Sequence, residues 1–202
     1  MLRALAADLT APAVQIREEP MTALPDIAGV PIAFEVRSVF DVVVHDGGLG
    51  GMSLGERRLE SPYVKDYDAL QGEGPTRWAS RFDLTNWGLL LARAGSACVG
   101  GSVLAFDTPG VDMLERRRDL AVLWDLRVAP AVRGLGVGAA LFRSAEAWAK
   151  ARGCRMLKIE TQNVNVPACR FYARQGCTLG AIHRFAYSEL PDEVQLLWYK
   201  HL

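Results

Sequence analysis

One stretch constrains the fold more than any other: Leu123-Trp-Asp-Leu-Arg-Val-Ala-Pro-Ala-Val-Arg-Gly-Leu-Gly-Val-Gly-Ala-Ala-Leu-Phe142. An apolar strand runs into a turn carrying Arg133, Gly134, Gly136 and Gly138, and a helix starts at once. A strand that feeds a helix through glycines gathers several free backbone N–H groups at the positive end of the helix dipole, which is a ready anion site. Glycine belongs there because a side chain would hold a phosphate away from the backbone. The stretch therefore predicts an α/β domain that binds a phosphorylated cofactor.

The chain has 202 residues, enough for one domain with a sizeable core or a domain plus an arm. Its 23 basic and 23 acidic residues cancel, so neither nucleic acid nor an anionic membrane is expected as a partner. No apolar run approaches the ~20 residues of a membrane span. No basic region precedes an apolar core and a small-residue cleavage site, so no signal peptide is expected and the cytoplasm is the expected compartment. Cys98, Cys154, Cys169 and Cys177 lack Cys-x-x-Cys spacing and read as reduced, mostly buried thiols. Only His183 offers a plausible partner for a nucleophilic cysteine, and no metal set is expected.

Residues 1–32, rich in Ala and Pro, predict an extended or poorly ordered arm, and residues 33–202 a single domain. Residues 33–44 read as a strand, and Asp46–Gly51 as a turn. Residues 52–86 look polar and mixed, with short helices around a Gly72–Pro75 break. Residues 88–93 and 97–106 form an apolar hairpin, and 120–128 the strand of the opening stretch. The helix then runs from about 136 to 151, with Val137, Leu141, Ala145 and Trp148 on one face. Residues 155–160 make a parallel neighbour of strand 120–128 through a β-α-β unit. Asn165 and Pro167 open another helix that stops at Gly176, and residues 177–180 and 193–200 form two last strands. Strands and helices mix without strict alternation, so the fold class is α/β with a mixed sheet.

Two cofactors compete for the glycine turn. Gly134, Gly136 and Ala139 fit a dinucleotide fingerprint, with Glu160 where a ribose-binding acid would sit. Too little chain follows Glu160 for the rest of a doubly wound sheet, and the preceding strands form a hairpin. A nucleoside triphosphate lacks its Gly-Lys-Ser/Thr. The same residues also fit Arg/Gln-x-x-Gly-x-Gly/Ala, as Arg133-Gly-Leu-Gly136-Val-Gly138.

With that pattern, and with Val128-Ala-Pro130 before it, Asn165-Val-Pro-Ala168-Cys-Arg-Phe171-Tyr172 and Gln175-Gly176 after it, the chain from about Trp87 onward resembles the GNAT family of acetyl-CoA-dependent N-acetyltransferases. Residues 159–172 and 192–199 look most similar to its streptothricin acetyltransferases. The resemblance implies a mostly antiparallel central sheet flanked by helices, with one parallel strand pair that splays. It implies acetyl-CoA as the acetyl donor, its pyrophosphate on the N–H groups from Gly134 through Leu135, Gly136 and Val137 to Gly138, with charge assistance from Arg133. The pantetheine would lie along Leu126, Arg127 and Val128 like an added strand, against Asn165, Ala168 and Phe171. A backbone N–H near Arg127 or Val128 would hold the thioester oxygen.

Tyr172 matches the family's proton donor to the leaving sulfur. Asp125 or Glu160 could take the proton of the amine, directly or through water, or bind the acceptor's charge; for Asp125 the competing role is a structural ion pair with Arg127 or Arg155. Alternation along the strand would put Asp125, Arg127 and Ala129 on one face and Trp124, Leu126 and Val128 on the other. Tyr187, Asp192 and Glu193 are further candidates for acceptor contacts. The expected function is transfer of acetyl to a primary amine of a small molecule by direct attack in a ternary complex; a homodimer is a family-level expectation. The alternatives are a non-catalytic acetyl-CoA sensor and, more distantly, a dinucleotide-binding oxidoreductase.

Overall fold

The computed structural model describes residues 14–70 and 73–202. Among these described residues, nine strands and three α-helices follow in chain order: β1 Val14–Glu19, α1 Leu24–Ala28, β2 Phe34–Val44, β3 Met52–Lys65, β4 Gly88–Ala94, β5 Ala97–Phe106, β6 Leu120–Val128, α2 Val137–Ala151, β7 Met156–Gln162, α3 Val166–Arg174, β8 Thr178–His183 and β9 Gln195–His201. Seven strands form one sheet in the order β1-β4-β5-β6-β7-β9-β8, and β2 and β3 pair separately. Among the described residues only β6 and β7 run parallel, and every other pairing is antiparallel. The mixed, mostly antiparallel sheet expected from the sequence is thus present.

Period-two alternation divides the interior between the two faces of the main sheet. Leu90, Ala92, Leu104, Ala121 and Leu123 join Leu141, Phe142, Ala145 and Trp148 of α2 in one core. Leu89, Leu91, Val103, Ala105 and Val122 join Leu24 and Ile27 of α1 and Trp78 in the other. Burying each Leu, Ile or Phe side chain stabilises the fold by about 1.5–3 kcal/mol. Gly88 lets α2 approach closely: a Cβ there would lie 2.3 Å from the Trp148 ring. That indole donates to Glu18 Oε1 at 2.7 Å, and the Arg152 guanidinium stacks 3.7 Å from it. The helix is thereby tied to the edge strand β1.

Two expectations are corrected. The arm does not persist to residue 32: β1 pairs with β4 from Val14↔Ala94 to Glu19↔Leu89, and α1 buries Leu24 and Ile27. An edge strand needs few apolar residues, since only Ile16 packs against the core, so its sequence looks like a leader. Residues 1–13 lie outside the described residues. The polar stretch after residue 52 is a 14-residue strand, not short helices. Both faces of β3 are largely exposed, which removes the apolar alternation by which a strand is recognised, whereas its partner β2 buries Val36 and Val39. A helical turn does form at Pro75–Ser80, while the Gly72 part of the expected break lies outside the described residues.

Candidate active site

β6 and β7 pair only from Leu120↔Met156 to Leu123↔Ile159. Both strands run on, to Val128 and Gln162, without pairing to each other. The parting opens a cleft of about 780 Å³, lined by the end of β6, the glycine turn, one face of α3, Glu160 of β7, and Phe34, Tyr67 and Asp68 of the N-terminal half. Each residue expected to bind the cofactor or act in catalysis lines it except Leu135 and Val137; the further acceptor candidates Tyr187, Asp192 and Glu193 are not among its lining residues. Leu135 is 69% exposed with its N–H turned to Val132 O (3.4 Å), and the Val137 side chain is buried in the core.

A β-bulge explains the side-chain directions on β6. Val103 opposes Asp125 and Leu104 opposes Leu123, so Trp124 is the extra residue. Alternation resets there. Trp124 packs with the α1-side core, whereas Leu126 and Val128 pack on the α2 side. The expected grouping of Trp124 with Leu126 and Val128 is therefore wrong by the bulge, although Asp125 and Arg127 do share a face. A register break between strands leaves no mark in one strand's sequence.

The turn has the form its glycines suggested. Gly134 and Gly136 adopt φ of 79° and 86°, conformations that side chains with a Cβ adopt at a cost. Gly136 is the N-cap of α2, no side chain caps the helix, and among the described residues no backbone acceptor takes the N–H groups of Val137, Gly138 or Ala139. A 15-residue helix thus points uncapped donors and about half a positive charge into the cleft. The donor set fits a pyrophosphate. Arg133 is committed differently from expectation. Its Nε donates to Val128 O (2.9 Å) and its Nη2 to Pro31 O and Ala33 O (3.2 and 3.3 Å), which braces the turn against the chain entering β2.

α3 presents Ala168, Phe171 and Tyr172 to the cleft. Asn165 starts the helix: its Oδ1 accepts from Ala168 N–H at 3.2 Å, a cap contact beside any it makes in the cleft. Tyr172 packs against Phe142 and Phe171, and its hydroxyl has no hydrogen-bond partner among the described residues. Burial, with the Asp125 charge adding, holds its phenol above the ordinary tyrosine range, so it stays protonated at neutral pH. Burial also pushes the Cys169 and Cys177 thiols up to about 11, which keeps them un-ionised at neutral pH.

The two candidate carboxylates differ sharply. Asp125 is bound at both oxygens by Arg127, Oδ1 to Nε (2.9 Å) and Oδ2 to Nη2 (2.5 Å), and its side chain is 3% exposed. It is an ion-pair partner first. Glu160 is less enclosed. Its Oε1 accepts from Tyr187 (2.6 Å) and its Oε2 from Gln195 Nε2 (2.7 Å), so its head group is aimed rather than neutralised. Sequence reasoning missed Gln195, Tyr67 and Asp68. Tyr67 and Asp68 lie in a polar stretch without periodicity, and no sequence signal marks them.

A model of the "Acetyltransferase (GNAT) family" matches residues 56–177. The chain belongs to this family. It is an N-acetyltransferase, and the acetyl donor of the family is acetyl-CoA. The dinucleotide and non-catalytic readings fall with that result. The chain is 32% identical to a streptothricin acetyltransferase of Escherichia coli over 82% of its own length and 84% of the relative's. It is 30% identical to streptothricin acetyltransferase A of Bacillus subtilis over 71% and 76%. The solved structure of a nourseothricin acetyltransferase is similar with a TM-score of 0.72 at 25% identity, covering 94% of this chain and 98% of that one. A structure from Bacillus anthracis in complex with acetyl coenzyme A shares the fold with a TM-score of 0.71 at 24% identity, over 96% and 99%. No helix among the described residues is long and apolar enough to cross a membrane.

Proposed function

We propose that this N-acetyltransferase transfers the acetyl group of acetyl-CoA to a primary amine of a small molecule, by direct attack in a ternary complex. Streptothricin is the acceptor we put forward. One observation carries the reading: the uncapped α2 N-terminus, the unpaired edge of β6, Tyr172 and Glu160 all line one cleft. The relatives named for streptothricin acetylation, aligned over most of both chains, support that choice of acceptor.

The roles follow from the chemistry. The N–H groups at the turn and the first turn of α2 hold the pyrophosphate. The β6 edge from Leu126 to Val128 bonds the pantetheine arm, and a backbone N–H there stabilises negative charge growing on the thioester oxygen. An ammonium must lose its proton before it can attack. Glu160, aimed by Tyr187 and Gln195, is the carboxylate we assign to draw the ammonium in and pass that proton toward water. As the C–N bond forms and the C–S bond breaks, Tyr172 gives its proton to the leaving thiolate. Asp125, buried and paired at both oxygens with Arg127, is not our choice of base.

Initial velocities measured while varying acetyl-CoA and streptothricin together are expected to give intersecting double-reciprocal lines. Parallel lines would indicate an acetylated enzyme and overturn direct attack.

A further inference from the structure

The Arg127 guanidinium offers five N–H donors, and all five are used. Nε and Nη2 hold Asp125 Oδ1 and Oδ2 at 2.9 and 2.5 Å. Nη1 and Nη2 hold Asp68 Oδ2 and Oδ1 at 2.6 and 3.2 Å. Nη1 also donates to Val30 O at 3.1 Å. The Arg127 side chain is 1% exposed. Three separate segments meet at this one buried cation: β6, the chain just after α1, and the loop after β3.

One guanidinium against two carboxylates leaves a net charge of −1. Asp125 is sealed in, whereas the Asp68 side chain is 29% exposed and lines the cleft. The uncompensated charge therefore reaches the cleft through Asp68. The loop is held at the preceding residue too: Tyr67 donates to Glu193 Oε2 at 2.8 Å, and Lys65 binds the other oxygen of Glu193. A carboxylate on a free loop would lose side-chain and loop entropy each time it bound a cation. Here a two-point grip on a buried arginine fixes it beforehand, and each oxygen keeps acceptor capacity beyond the bond Arg127 occupies.

We propose that Asp68 is a specificity-determining residue that binds the acceptor's cationic group, and that Arg127 is its positioning residue. Arg127 thereby serves the amine end of the cleft through its side chain, while its backbone belongs to the acetyl-CoA side. The proposal rests on the acceptor reading above.

The test is Asp68→Asn, which keeps the shape, removes the charge and leaves Asp125 paired with Arg127. With acetyl-CoA and streptothricin as the two substrates, KM for streptothricin is expected to rise roughly tenfold or more, with KM for acetyl-CoA unchanged and Tm lowered by the one Arg127 bond that the amide cannot accept. Calorimetry of streptothricin on the wild type and the variant is expected to show the same loss without turnover. Arg127→Lys, which keeps the charge but not the fork, is expected to raise the same KM and to lower Tm. An unchanged streptothricin KM in Asp68→Asn would overturn the proposal, as would equal rises in both KM values, which a merely structural role would give. A wild type that neither binds nor acetylates streptothricin would overturn the acceptor reading, and this proposal with it. Wild-type turnover with an indifferent Asp68→Asn would overturn the proposal alone.

Discussion

Gly136→Val is expected to weaken acetyl-CoA binding roughly 100-fold, or about 2.8 kcal/mol at 1.4 kcal/mol per decade, measured by calorimetry. The cause is the backbone. Gly136 has φ of 86°, and a Cβ there would meet nothing within 4 Å. Space is not the obstacle; left-handed geometry is, costing an L residue about 1–2 kcal/mol and a β-branched one more. The chain escapes that cost by rotating Gly136 out of this region. Gly136 is the N-cap of α2, so the rotation turns the first N–H groups of the helix away from the cleft. If the variant instead holds the native backbone, its side chain stands among the donors and keeps the phosphates off. Tm is expected to fall by about 2–4 °C for each kcal/mol of strain retained, the scale for a domain of this size. Affinity equal to wild type would remove the turn from the pyrophosphate site.

Tyr172→Phe is expected to lower kcat by roughly 10²–10⁴-fold, the range for loss of a positioned general acid. Phenylalanine fills the same space between Phe142 and Phe171, at ring-centroid distances of 5.9 and 5.2 Å, so fold and acetyl-CoA affinity are expected to hold. The wild-type phenol is raised above its ordinary value of 10.0, by burial first and the nearby Asp125 charge second. A donor with a raised pKa stays protonated to higher pH. Activity is therefore not expected to fall below pH 10 through titration of Tyr172. A kcat within a few-fold of wild type in steady-state assays would take Tyr172 out of the chemistry.

The cofactor half of this molecule was legible because its residues are constrained locally. Gly134 and Gly136 report a backbone conformation, Asn165 reports a helix cap, and Leu141, Ala145 and Trp148 report a helix packed on a sheet. Each signal lies within a few residues of the feature it specifies. The acceptor half was obscure for the opposite reason. β3 is exposed on both faces and carries no apolar alternation. Asp68 matters only because Arg127, 59 positions later, folds beneath it. The bulge at Trp124 depends on β5 as much as on β6, so strict alternation misassigned Trp124. Asp125 looked like a base on its strand, and only the tertiary structure reveals that both its oxygens belong to Arg127.

The most direct measurement is the product of one reaction: the enzyme with acetyl-CoA and streptothricin, followed by free-thiol release and by mass spectrometry of the acceptor and the protein. One acetyl group on a streptothricin amine for each thiol released, with no acetyl retained on the enzyme, is the predicted result. Acetyl-CoA bound without thiol release, or an acetyl group found on the protein as an intermediate, would contradict it.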